Sequence, residues 1–206
     1  MSEFVATDYG SVKGVEIYSS ETGAWSYSMS AWDYEEISEG SPSVFFNCLL
    51  HFVTFKFAIV AVDVEGESWW VLPMPEDIDD YNSWEPGFIG RYQGNLCYIN
   101  EFDYESDMSV WVLEDYGTEE WILKHQVSIQ RLTEKITTPP ESIYYHLITV
   151  HPDCNWIFYI AGSDHTLMAY DMDRDEVHVI KNLGSDCWLP CIPYVPFYVE
   201  SLTDGH

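Results

Sequence analysis

The sequence predicts an all-β fold, a partial or small β-propeller of about four antiparallel sheets, and two observations carry that prediction. The first is a phrase that recurs four times: "VEIYSSETGAW" (15–25), "IVAVDVEGESWW" (59–70), "SVWVLEDYGTEEW" (109–121) and "LMAYDMDRDEVHV" (167–179). Each reads as a β-branched or aromatic strand, a turn rich in Gly, Asp, Glu or Ser, and a second strand opening on an apolar residue, which is the pattern of a β-hairpin. The second observation is that further strand candidates precede the later three: "SVFFNCLLHFV" (43–53), "FIGRYQGNLCYIN" (88–100) and "HLITVHPDCNWIFYIAG" (146–162). Turn residues interrupt each of these, at Asn47–Cys48, Gln93–Asn95 and His151–Asn155, so a unit holds about four strands over roughly 45 residues, the proportions of a propeller blade.

Taken in order, residues 1–13 are expected to be an N-terminal tail or the remnant of an upstream segment, 14–202 the propeller, and 203–206 a C-terminal tail. The first unit begins with its repeated hairpin and lacks inner strands. Segments 33–43, 75–87 and 137–143 are expected as connectors, because Pro, Gly and clustered acids interrupt every periodicity there. "QVSIQRLTEKI" (126–136) fits either a short helix with Ile129, Leu132 and Ile136 on one side or a strand running into a loop. A single blade cannot bury its own faces, so Trp25, Trp70 and Trp121, which close the repeated phrases, are expected to pack between neighbouring blades. If the ring does not close, strand edges stay unpaired, and either further sequence or another chain covers them.

Composition narrows the function classes. Against 35 Asp and Glu stand 8 Lys and Arg, a formal charge of -27 that repels phosphate backbones and anionic lipid. No nucleic acid and no membrane partner is therefore expected, whereas a protein with a basic surface would be attracted. Hydrophobic residues at 47% supply enough apolar surface for a globular fold despite that charge. Five scattered cysteines do not form a secreted disulfide framework, and the first ten residues carry no basic or apolar leader region, so a soluble cytoplasmic or nuclear location is expected.

Six stretches carry a family resemblance: "VEIYSSETGAWS", "FFNCLLHFV", "IVAVDVEGESWWVLPMP", "YQGNLCYIN", "MSVWVLEDYGTEEWILKHQVSI" and "PYVPFYVESL", in that order from about residue 14 to 202. Together they resemble the kelch-like F-box-associated β-propeller domain of plant F-box proteins, particularly the cereal set. The resemblance implies a substrate-recognition domain of a cullin–RING (SCF-type) ubiquitin ligase, with a target protein as partner and no chemistry of its own. Residues 1–14 carry nothing like the Leu-Pro-rich helical F-box, so contact with a Skp-type adaptor is expected only if an F-box is supplied. A truncated decoy or scaffold without ligase recruitment is the alternative reading, and an unrecognised hydrolase with a pocket on the propeller axis a lesser one.

Local motifs for catalysis, metal or cofactor binding are not legible. Cys187 and Cys191 in "CWLPC", with His146 and His151, have spacings that zinc sites tolerate, but no second regular pair accompanies them and they read as structural. "DMDRDE" (171–176) starts like a calcium loop and then fails, with Glu176 where Gly is needed and Asn182 where the closing Glu should be, so a hairpin turn is expected. His178 is expected at the surface, opposite its apolar neighbours Val177 and Val179. There is no Gly-x-Ser-x-Gly elbow and no Gly-rich phosphate loop, and neither enzymatic activity nor a cofactor is expected. A partner is expected on the face carrying the blade-to-blade connectors, where aromatics stand among acids: Trp32, Tyr34, Asp79, Tyr81, Trp84, Phe102 and Tyr104.

Overall fold

The computed structural model describes residues 2–6, 12–31, 37, 43–55, 58–75, 87–100, 107–136, 145–185 and 191. Strands β1 (Ser2–Ala6), β2 (Val12–Ser19) and β3 (Ala24–Met29) form a first sheet of three. The second holds β4 (Ser43–Phe46), β5 (Leu49–Val53), β6 (Ala58–Asp63) and β7 (Trp69–Pro73). The third holds β8 (Phe88–Tyr92), β9 (Asn95–Asn100), β10 (Asp107–Asp115) and β11 (Glu120–Ser128), and the fourth β12 (Tyr145–Val150), β13 (Trp156–Ala161), β14 (Thr166–Asp171) and β15 (Glu176–Asn182). Within every sheet the strands lie in chain order and pair antiparallel. The repeated phrases are thus the last two strands of each sheet. The first strands come together instead, with β8 lying beside both β4 and β12, so the sheets radiate from β4, β8 and β12 as blades do.

Local chemistry explains the hairpins. The two-residue turns Asn47–Cys48 and Gln93–Gly94 have positive φ at both positions, the geometry whose twist matches that of the flanking strands. In the fourth sheet, Asp171 Oδ1 accepts from the backbone N–H groups of Asp173 (3.0 Å) and Arg174 (3.2 Å), while the Arg174 guanidinium donates to Oδ2 at 2.7 Å. The acids of "DMDRDE" therefore organise a hairpin turn around a cation of the chain itself. Residues 126–136 combine both expected forms: β11 runs to Ser128, which caps the short helix α1 (Ile129–Thr133) by accepting from the Arg131 N–H, and Ile129 and Leu132 are buried. Residues 2–6, placed by the sequence in an N-terminal tail, form β1 and pair with β2 from Ser2↔Ile17 to Ala6↔Val12. A five-residue run beside Thr7, Asp8 and Gly10 is too short for periodicity to reveal it.

Among the described residues three seams join the blades, each an apolar cluster with polar clasps. Between the first and second, Val15 and Ile17 meet Leu50, Phe52, Val60, Val62 and Trp69, and the Ser28 hydroxyl donates to the Gly66 carbonyl. Between the second and third, Val53, Ile59 and Leu72 pack with Ile89, Leu96, Tyr98, Trp111 and Leu113, and Trp121 Nε1 donates to the Pro73 carbonyl at 2.9 Å. Buried His51 spans the same seam. Its Nδ1 lies 3.3 Å from the Val44 carbonyl, which can only accept, so Nδ1 carries the proton and Nε2 accepts from the Tyr116 hydroxyl. Burial drives the His51 pKa down to about 4, outweighing the backbone hydrogen bonds that favour its charged form.

The third seam sets Ile99, Val110 and Val112 of the third sheet in one apolar cluster with Leu147, Ile157 and Met168 of the fourth, and it carries several polar clasps. Tyr92 donates to Asn155 Oδ1 at 2.7 Å, and the Gln93 N–H donates to the Pro152 carbonyl at 2.7 Å. Buried Tyr170 donates to Asp175 Oδ1 at 2.9 Å and accepts from His125 Nε2 at 2.9 Å, while Arg131 Nε reaches the same carboxylate at 3.2 Å. Tyr159 donates to the Leu132 carbonyl at 2.7 Å, fixing α1 against the fourth sheet. Hydrogen bonds from Tyr170 and Arg131 hold the Asp175 carboxyl below its ordinary range.

The repeat tryptophans need correction. Trp121 does clasp two blades, but Trp25 and Trp70 are exposed, at 51% and 41%. Strand alternation is the reason: at the end of the second phrase the inward place falls to Trp69, whose Nε1 donates to the Gly66 carbonyl at 3.0 Å, and Trp70 points away. His178 is half-buried rather than free on the surface, stacked on Trp156 with ring centroids 5.2 Å apart.

Candidate interaction surface

The seven sequence-proposed partner residues, Trp32, Tyr34, Asp79, Tyr81, Trp84, Phe102 and Tyr104, lie outside the described residues. So does Cys187, one of the cysteines weighed as a metal ligand, while His151 turns its Nδ1 toward the N–H groups of Asp153 and Cys154, both at 3.1 Å, and so closes its own turn. Among the described residues no three His, Cys, Asp or Glu side chains gather as a metal site would need.

The described surface that stands out is the hairpin β2–β3. Its register pairs Gly14 with Met29, Val15 with Ser28, Glu16 with Tyr27, Ile17 with Ser26 and Tyr18 with Trp25. Directly paired residues share a face, so Val15, Ile17, Ser26 and Ser28 face one way and Gly14, Glu16, Tyr18, Trp25, Tyr27 and Met29 the other. The first set meets the second blade through the Val15–Val62 cluster and the Ser28–Gly66 clasp. The second set is turned outward, with Tyr27 52% and Met29 76% exposed. β3 therefore turns Ser28 to its neighbour and its aromatics to solvent, the reverse of an ordinary half-buried strand, while exposed Ser26 donates to the Ile17 carbonyl of its own blade.

The outward side chains are ordered. Tyr18 and Trp25 pack with centroids 5.4 Å apart and planes tilted by 52°. The Tyr27 hydroxyl donates to the Lys13 carbonyl at 3.2 Å, which lays the ring across Gly14. A Cβ on Gly14 would stand 2.3 Å from the Ser28 carbonyl oxygen and 2.6 Å from the Tyr27 hydroxyl, so the glycine is what gives the ring its place. Glu16 stands between the two tyrosines on this face, Glu21 lies in the adjoining turn, and exposed Lys13 is the one nearby cation among the described residues of the hairpin. A rigid aromatic surface beside carboxylates suits contact with cationic side chains.

Sequence reasoning missed this surface because it assigned Trp25 to a blade seam. The signal was present in "AWSYSM", where Ser alternates with Trp, Tyr and Met. The alternation alone does not say which face is covered.

An apolar cavity of about 60 Å³ lies between the first and second blades, lined by Val15, Ile17, Phe45, Leu50, Val62, Asp63 and Val64. Small-molecule sites run to roughly 300–1,000 Å³. The lone carboxylate, Asp63, accepts from the N–H groups of Glu67 (2.8 Å) and Ser68 (3.0 Å) and shapes the β6–β7 turn. No described helix is long and apolar enough to cross a membrane.

Comparison with known families gives a match over residues 2–193 to the model described as "F-box protein At3g26010-like, beta-propeller". No curated protein matches the chain. With the match covering nearly its whole length, the chain belongs to this family of F-box-protein β-propellers, and the four radiating sheets are its blades. Membership points to a protein-interaction role.

Proposed function

We propose that this propeller selects a target protein for ubiquitination, as the recognition part of a cullin–RING ligase acting in the cytoplasm or nucleus. Family membership over residues 2–193 carries the reading. The outward face of β2–β3 supports it, since rigid Trp and Tyr side chains are the commonest anchors of protein interfaces. The charge of -27 favours a target with a basic surface and disfavours nucleic acid and anionic membrane. Contact with a Skp-type adaptor falls to an F-box supplied to the propeller.

The test is capture with the proteasome inhibited, comparing the chain alone with the chain joined to an F-box. Proteins held by both forms, and carrying ubiquitin only when the F-box recruits the adaptor, are the expected result. Targets held equally by both and never ubiquitinated would instead make the propeller a scaffold or decoy.

A further inference from the structure

Each blade ends in an outer strand with a single strand partner among the described residues, and such edges are ordinarily blunted against adding a foreign strand. β7 is five residues long and ends in Pro73, whose carbonyl is taken by Trp121. β11 carries Lys124 and two register shifts along its pairing with β10. β15 carries Lys181 and a register shift. β3 has none of these devices. Its six residues, "AWSYSM", contain no Pro, Lys or Arg, pair in unbroken register with β2, and have no second strand partner among the described residues.

The unprotected edge and the outward aromatic face belong to the same strand. We propose that β3 is a docking edge for an extended segment of a partner protein, which adds to the first blade alongside β3 and sets alternate Lys or Arg side chains beside Trp25 and Tyr27. Main-chain hydrogen bonds along Ala24–Met29 would supply binding, and side-chain alternation the selection. On the outward face, incoming cations stack on the Trp25 and Tyr27 rings and approach Glu16. On the other face the incoming side chains stand beside Ser26 and Ser28, close to the Gly66 turn, so small residues fit there. Charge decides between occupants. A second copy of this chain would bring another -27 and an edge without a single cation, whereas a basic segment is drawn in by the field of the whole molecule.

This rests on reading the chain as a recognition domain, and its test needs neither adaptor nor ligase, so the two readings fail separately. The probe is a fluorescent ten-residue peptide of alternating Arg and Thr, followed by anisotropy against the purified chain. Two further peptides carry N-methyl groups on every Arg or on every Thr, which keeps the charge and removes donors from one edge at a time. The parent peptide should bind, one N-methylated form should lose at least tenfold in affinity, and the other should bind like the parent. The double variant Trp25→Thr, Tyr27→Thr should also lose about tenfold; if that variant does not fold, the N-methyl pair still decides. Equal binding of all three peptides would mean adhesion to an acidic surface and would overturn the proposal. So would sedimentation showing that the chain pairs with itself through β3 and excludes the peptide.

Discussion

Gly66→Ala tests the seam between the first two blades, and Gly23→Ala is its control. Both glycines have positive φ, +72° and +66°, where an L-residue costs roughly 1–2 kcal/mol. Their surroundings differ. A Cβ at Gly23 meets nothing within 4 Å, whereas at Gly66 it would stand 2.8 Å from Ile17 Cδ1 and 2.9 Å from Ser28 Cβ, both on the neighbouring blade. Overpacking of that kind costs about 1–3 kcal/mol more. Urea unfolding followed by tryptophan fluorescence should therefore place Gly66→Ala below Gly23→Ala by about 1–3 kcal/mol. The Gly66 variant should also loosen the Ser28 clasp, seen as faster amide exchange in β3. Equal losses for the two variants would refute a seam that depends on close approach at Gly66.

Three further outcomes follow from the other seams. His51 titrates about 4 when folded and near 6.5 when unfolded, so the unfolded chain takes up the proton first on acidification. The stability tied to its neutral form is complete above pH 6.5 and is lost toward pH 4, by up to about 3 kcal/mol. Subtracting the pH profile of His51→Gln from that of the unaltered chain should reveal this slope, and parallel profiles would contradict it. Tyr170→Phe removes a hydroxyl that bridges His125 and Asp175 and should cost about 1–3 kcal/mol in chemical unfolding; an unchanged midpoint would show that the bridge contributes nothing. Cys48→Gly relieves a positive φ of 63° at an exposed turn and should stabilise by about 1 kcal/mol, with a lowered thermal midpoint as the contrary result.

Much of the fold was legible because the four hairpins carry their information locally. Alternating apolar residues flank Gly-, Asp- and Asn-containing turns, and the turn chemistry itself fixes which residues pair. The seams were less legible. In "WW" at 69–70 both indoles satisfy the repeat, and only the pleat assigns Trp69 to the neighbouring blade and Trp70 to solvent. His51 gave no hint in sequence of its partner Tyr116, which lies on a different blade. The β3 face was hidden for a related reason: "AWSYSM" announces two chemically distinct faces, but the one that meets the second blade is the one it shares with Val15 and Ile17 of β2, where Gly66 accepts the Ser28 hydroxyl.

Hydroxyl-radical footprinting with mass spectrometry addresses the central claim, that the blades bury one set of side chains in seams while the first blade turns an aromatic strand outward. Trp25, Tyr27 and Met29 should oxidise early in the folded chain, with Trp111, Met108 and Met168 protected until global unfolding. Protection of Trp25 and Met29 equal to that of Trp111 and Met108 would contradict it.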